Sequence, residues 1–185
     1  MTIPAYGIPR HRHGDILDVI LTDHRQMEDL IREVRRSDSD RAAARAALAE
    51  LLVAHARAEE EVVLPRAERA EAISEHELEH GHEEHAEINE ALLALLECAG
   101  TDTQKWDDAA EELGKVLAHH LGEEELTVIN PSRAELSIQQ RGDLGEAWLA
   151  RRNAYLARGC ASRAQVAALV GRAYDEGLLP AEEED

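Results

Sequence analysis

The chain contains no phenylalanine, and aromatic residues make up only 3% of it. A core without Phe must be built from Leu, Ile, Val and Ala, which points to helices. Two cysteines, Cys98 and Cys160, are too few and too far apart in sequence for a disulfide scaffold. They suit a reducing compartment with both thiols free, so a cytoplasmic location is expected. No apolar run reaches the ~18 residues of a membrane span. The opening stretch MTIPAYGIPRHRHGD has no apolar signal core either. Positive charge is scarce: 20 Lys and Arg stand against 39 Asp and Glu, a formal net charge of −19 over 185 residues. That excess repels phosphate backbones, so neither nucleic acid nor a membrane surface is an expected partner. Strand signals are nearly absent, because no segment alternates apolar and polar residues while rich in β-branched types.

What is present is apolar content of 44%, enough for a real core, and helical periodicity almost everywhere. The first predicted helix covers about 14–36 and closes on Arg32, Arg35 and Arg36, where positive charge suits the helix dipole. The second covers about 40–64 and stops at Pro65. The third covers about 67–98 and stops near Gly100. The fourth covers about 103–129 and stops at Asn130-Pro131. Four long helices with short connections predict an all-α fold, an antiparallel up-down four-helix bundle over 14–131. Residues 132–178, punctuated by glycines, predict a short helical C-terminal extension packed on the bundle. Residues 179–185 form an acidic tail.

The histidines carry the chemical signal. Residues three, four or seven apart share a helix face. The first apolar stripe reads Leu17, Ile20, Leu21, His24, Met27, Ile31. The second reads Leu48, Leu51, Leu52, His55, Glu59, Val62. The third reads Leu78, Gly81, His85, Ile88, Leu92, and the fourth Leu113, Val116, Leu117, His120, Glu124, Val128. Each helix aims one imidazole inward, and two add a carboxylate one turn later. Burying that set is unfavourable unless something compensates its desolvation. A metal does so directly, and facing bundle helices are a known way to build a dimetal site. The halves also echo each other: His55 follows His24 by 31 residues (55 − 24), and His120 follows His85 by 35 (120 − 85). That pseudo-repeat suits two metals, each held mainly by one half and bridged by the two glutamates.

Other histidines need separate placing. His119 and Glu123 also make a His-x-x-x-Glu pair, but the residues preceding His119 on its face are Glu112, Lys115 and Val116, whereas His120 follows Leu113, Val116 and Leu117. His119 is therefore a rim residue. His76-Glu77-Leu78-Glu79-His80 matches the HExxH zinc-hydrolase pattern. Helical geometry turns His76 and His80 roughly 180° and 140° away from His85, towards water. His82, about 60° from His85, stays open as a ligand, a supporting base or a surface residue. Leu21, Leu52, Ile88 and Leu117 are expected to keep water from the site. All five aromatics are expected to fall away from the inner positions.

These pieces resemble the hemerythrin-like family of HHE cation-binding domains: Asp23-His24, His55-Ala-Arg-Ala-Glu59 running to Pro65, Glu84-His85-Ala-Glu-Ile88, and His120-Leu-Gly-Glu-Glu124 running to Pro131. The resemblance covers about residues 14–131. It implies a non-haem di-iron centre, two Fe ions with an oxo or hydroxo bridge, for which Mn or Zn can substitute. His24, His55, His85 and His120 would be terminal ligands, and Glu59 and Glu124 would bridge. It implies binding of, or reaction with, dioxygen, nitric oxide or peroxide, in stress response or sensing, with catalase-like turnover one option and iron sensing or storage without turnover the alternative. A redox partner is not specified. Two departures stand out. The oxygen carriers of the family have HxxxH on the third helix, where Gly81 stands four before His85, and His-x-x-x-x-Asp on the fourth, where Glu124 follows His120 at four. One iron would then lack a histidine, which favours peroxide or NO chemistry over reversible oxygen carriage.

Overall fold

Side-chain caps define where the helices begin. In the computed structural model, which describes residues 6–180, Asp15 accepts from the Leu17 backbone N–H and opens α1, Ile16–Arg35. Asp40 accepts from Ala43 N–H and opens α2, Arg41–Ala58. Ser74 and Glu77 form a capping box at the head of α4, Glu75–Leu96. Thr103 accepts from Trp106 N–H and opens α5, Gln104–Glu124. Among the described residues there is no strand, and no helix is long and apolar enough to cross a membrane. The acidic tail 181–185 lies outside the described residues.

The two prolines expected to end helices do not. α2 continues through a π turn, Glu59–Val63, into α3, Leu64–Arg69. α5 continues in the same way through a second π turn, Glu125–Ile129, into α6, Asn130–Glu135. In each case the residue before proline donates its N–H five residues back, Leu64 to Glu59 and Asn130 to Glu125. The proline then falls in the first turn of the short helix that follows, where its missing N–H is tolerated. The true break comes at residues 70–74, where Glu71 takes a left-handed conformation with φ of 57°. No glycine or asparagine marks that turn, so sequence offered no stop there.

α1 packs on α2, α4 on α5, α1 on α5 and α2 on α4, so these contacts form a closed circuit. Leu48, Leu51, Leu92, Leu95, Leu113 and Leu117 fill its interior at one end. At that end Arg41 ties Val34 O, Thr101 O and Asp107 together and lies over the Trp106 ring. Two further helices lie outside the circuit. α7, Ile138–Arg158, runs against α1, α2 and the first π turn, and α8, Arg163–Asp175, runs against α4. Capping boxes at Ser137/Gln140 and Ser162/Gln165 start them. α7 meets the chain just before α1 at Gly145, where an added Cβ would stand 2.0 Å from the Gly14 carbonyl oxygen. Only glycine permits that approach.

Candidate metal centre

His24 sits mid-way along α1, His55 in the last turn of α2, His85 mid-α4 and His120 just before the last turn of α5. Each replaces an apolar residue in a buried stripe, so packing turns each ring inward. Glu59 begins the first π turn, and Glu124 immediately precedes the second. A π turn is rarely stable by itself and is common at functional sites. Here two of them follow the two inner carboxylates.

The six side chains predicted to converge lie together, all buried. His24, His55 and Glu124 offer ligand atoms within 4.8 Å of one another, and so do Glu59, His85 and His120. Each cluster draws its histidines from one half of the sequence and its glutamate from the other. Glu59 Oε2 is 3.4 Å from His55 Nε2 and 3.6 Å from His85 Nε2. Glu124 Oε2 is 3.0 Å from His24 Nε2 and 3.6 Å from His120 Nε2. Each pair of imidazoles comes from one half of the sequence, and each glutamate has one oxygen near a histidine of both halves, where a carboxylate shared by two positions would stand.

The outer ring nitrogens are held by a second layer of carboxylates. Nδ1 of His55 lies 3.2 Å from Asp23, that of His85 2.9 Å from Glu60, and that of His120 3.0 Å from Glu84. His24 Nδ1 has only Glu125 near it, at 3.6 Å. A proton on Nδ1 leaves the Nε2 lone pair free and pointing inward, the arrangement metal-ligating histidines use.

The inner atoms are short of partners. Nε2 of His24, His55 and His85 and all four oxygens of Glu59 and Glu124 are buried without a hydrogen bond. Protons compensate in part. Burial opposes charge on His55 and His85, but Asp23 and Glu59 around one and Glu59 and Glu60 around the other outweigh it, raising these pKa values to about 9 and about 10. Burial, with His55 next to it, pushes His24 down to about 4. Burial and the Glu59 charge push Glu124 up to about 8. Burial would also raise Glu59, but His55 and His85 hold it well below the usual carboxylate range. Imidazolium protons are thus placed where cations would otherwise balance the carboxylates, and a divalent cation would displace them. Imidazole nitrogen and carboxylate oxygen, buried, orphaned and convergent, fit such a cation.

The remaining candidates fall where solvent reaches them. His82 is 33% exposed and 4.0 Å from Glu60, and His119 is 62% exposed and 3.8 Å from Glu84. His76 and His80 of the HExxH match are exposed and stack on each other. His11 and His13 are exposed, with His13 paired to Glu146. Leu52, Ile88 and Leu117 are buried, while Leu21 is partly exposed.

One expectation is corrected. Trp148 was to lie away from the site, yet its ring meets His55 edge-on at 5.2 Å. Tyr155, also expected outside, is buried and donates to Glu61. Both come from α7, which folds back across α1 and α2. Sequence reasoning also passed over Arg152, and it noted Asp23 and Glu84 only as neighbours of histidines. For two of them the signal was the one used for the ligands: Asp23 shares a stripe with Val19, Ile20 and Met27, and Arg152 with Trp148, Leu149 and Leu156.

A family model, described as the hemerythrin HHE cation binding domain, matches residues 15–130. No curated protein and no solved structure matches the chain.

Proposed function

The chain belongs to the hemerythrin HHE cation-binding domain family, and on that premise we propose that it holds two iron ions between α1, α2, α4 and α5 and uses them to bind or react with dioxygen, nitric oxide or peroxide. In this reading residues 14–131 are an antiparallel up-down four-helix bundle, 132–178 are its helical extension, and the protein works in the cytoplasm, where Cys98 and Cys160 stay free. His24 and His55 hold one ion, His85 and His120 the other, and Glu59 and Glu124 lie between the two. The observation that carries it is the crossing of the glutamates, each with one oxygen near a histidine of both halves.

Bound iron supplies an open coordination position and electrons for the small ligand. The chain's own part is positional. Asp23, Glu60 and Glu84 keep a proton on Nδ1 of His55, His85 and His120, which leaves Nε2 of each free to ligate. Leu52, Ile88 and Leu117 exclude water. With two imidazoles and the two shared glutamates around each position, room remains for a small ligand. Glu124 is buried and Glu125 is 50% exposed, which supports Glu124 as the inner carboxylate, although the oxygen carriers of the family have theirs five residues after the histidine. Gly81 offers no side chain in the position where oxygen carriers have a further histidine, which favours peroxide or NO over reversible oxygen carriage.

Anaerobic reconstitution with ferrous iron, followed by metal analysis and stopped-flow mixing with oxygen, NO and peroxide, tests this. Two irons per chain and an optical change with at least one of the three are expected. Two irons that stay inert to all three would leave an iron-sensing or storage role. One zinc with no iron uptake would defeat the proposal.

A further inference from the structure

α7 lies wholly beyond the matched domain, yet its buried face reaches the metal centre. Gly145, Trp148, Arg152 and Tyr155 fall on that face. Arg152 is 1% exposed. An arginine buried so deeply has to be fully paired. Its Nε and Nη2 donate to Oδ2 and Oδ1 of Asp23 at 2.5 and 2.6 Å, and Nη1 donates to the Pro9 carbonyl at 3.0 Å. Asp23 Oδ2 in turn accepts from Nδ1 of His55. Trp148 stands edge-on against the same ring, at an interplanar angle of 85°. The His55 imidazole is therefore held through its outer nitrogen and supported on one side, and both holds trace to α7.

The other imidazoles lack this arrangement. Glu60 behind His85 is 30% exposed and lies 4.0 Å from the partly exposed His82. Glu84 behind His120 is close to the exposed His80 and His119. Among the described residues no guanidinium holds either carboxylate. A bidentate arginine fixes a carboxylate in one plane, and a pinned acceptor fixes the ring that donates to it. Ordering a ligand before the cation arrives removes that cost from binding.

The geometry points to α7 as a working part of the metal centre, with Arg152 a positioning residue that acts through Asp23 on His55 and favours the cation at His24, His55 and Glu124 over the one at Glu59, His85 and His120. This rests on the cation-binding reading above, but not on which gas or peroxide is handled.

Cobalt(II) titration of the full chain, stripped of metal beforehand, tests it through affinity and through the imidazole N–H resonances. Arg152→Met is expected to weaken one position by about 10–100-fold and to leave the other within about threefold. It should also shift or broaden the His55 Nδ1 proton signal while that of His85 stays in place. Arg152→Lys, which keeps the charge and loses the fork, should recover only part of the affinity. Arg10→Ala cuts the bond from Arg10 to the Leu156 carbonyl and leaves Asp23 untouched, so it should leave both affinities unchanged. If Arg152→Met lowers the melting temperature but moves neither affinity nor the His55 signal, Arg152 merely ties α7 down and the inference falls. If that variant fails to fold, Asp23→Asn decides: selective weakening of one position upholds the inference, and unchanged affinity overturns it. A parent chain that takes up no cobalt would instead defeat the cation-binding reading itself.

Discussion

The two halves of the metal centre are built alike and supported differently. Both present a His-x-x-x-Glu pair, a π turn and a proline in the turn after it. Behind His55 stands a sealed network of Asp23 and Arg152. Behind His85 stands Glu60, which borders a cleft of about 250 Å³ between α2, α4 and α8 together with His82 and Arg172. The repeat thus carries the six candidate ligands, and the contacts from α7, which follows it, are made behind His55 and not behind His85. A sealed position is suited to holding its cation. The position next to the cleft is suited to receiving a ligand from solution.

The largest effect should come from the residues the halves share. Glu59 lies near histidines of both halves, so Glu59→Gln should weaken both positions by more than the roughly 10–100-fold typical of an outer partner. His24→Ala should weaken one. Isothermal titration with a divalent cation separates the two outcomes. If Glu59→Gln weakened only one position, Glu59 would serve a single cation and the shared arrangement would be wrong.

Removing the metal from the intact chain should come next. A ligand present at 100–1,000 times its Kd adds about 3–4 kcal/mol to folding. For a chain of this size about 1 kcal/mol moves Tm by ~2–4 °C, so chelation should lower Tm on the order of 10 °C. In the proposed arrangement each cation would tie a glutamate of one half to histidines of the other, so the loaded protein should melt in one transition by calorimetry. An early, separate transition would mean that the halves are not cross-linked in this way.

How much of this was legible depended on where the constraint was local. His24, His55, Glu59, His85, His120 and Glu124 stood out because a polar residue in an apolar stripe is visible from spacing alone. The helix ends at Pro65 and Pro131 were misread because proline stops an α register but not a chain that has just widened into a π turn. The break at Glu71 carried no turn residue to announce it. Trp148 could not be placed at all from spacing, because its position follows from α7 docking on a segment 131 residues earlier (145 − 14), through the contact of Gly145 with Gly14. Arg152 was legible as a charge within an apolar stripe. So was Asp23, but the pairing of the two across 129 residues was not.

That docking contact gives a third, smaller prediction. Gly145→Ala would drive a Cβ into backbone, 2.0 Å from Gly14 O and 3.0 Å from Ile16 N. Neither atom can move as a side chain would, so α7 has to lift. The expected destabilisation is about 1–3 kcal/mol, read by urea unfolding. Since α7 carries Arg152 and Trp148, the cation position at His24 and His55 should weaken with it, and the position at His85 and His120 should not. Equal weakening of both would mean that α7 supports the whole centre rather than one side.

The smallest effects should come from the histidines that solvent reaches. His82 lies 4.0 Å from Glu60 and is one-third exposed, so any charge it carries is screened, and a pair of that kind contributes about 0–1 kcal/mol. His82→Ala should therefore change affinity at the neighbouring position by no more than about fivefold and leave the number of bound cations as it was. His76→Ala with His80→Ala should likewise keep the number of bound cations and change affinity by no more than about fivefold, since both rings are exposed and His80 lies 3.9 Å from Glu84. His82→Ala is the sharper of the two tests, because His82 borders the cleft. Loss of a cation in that variant would add a third imidazole to His85 and His120, give the two positions different ligand sets, and move the source of their inequality from α7 to α4.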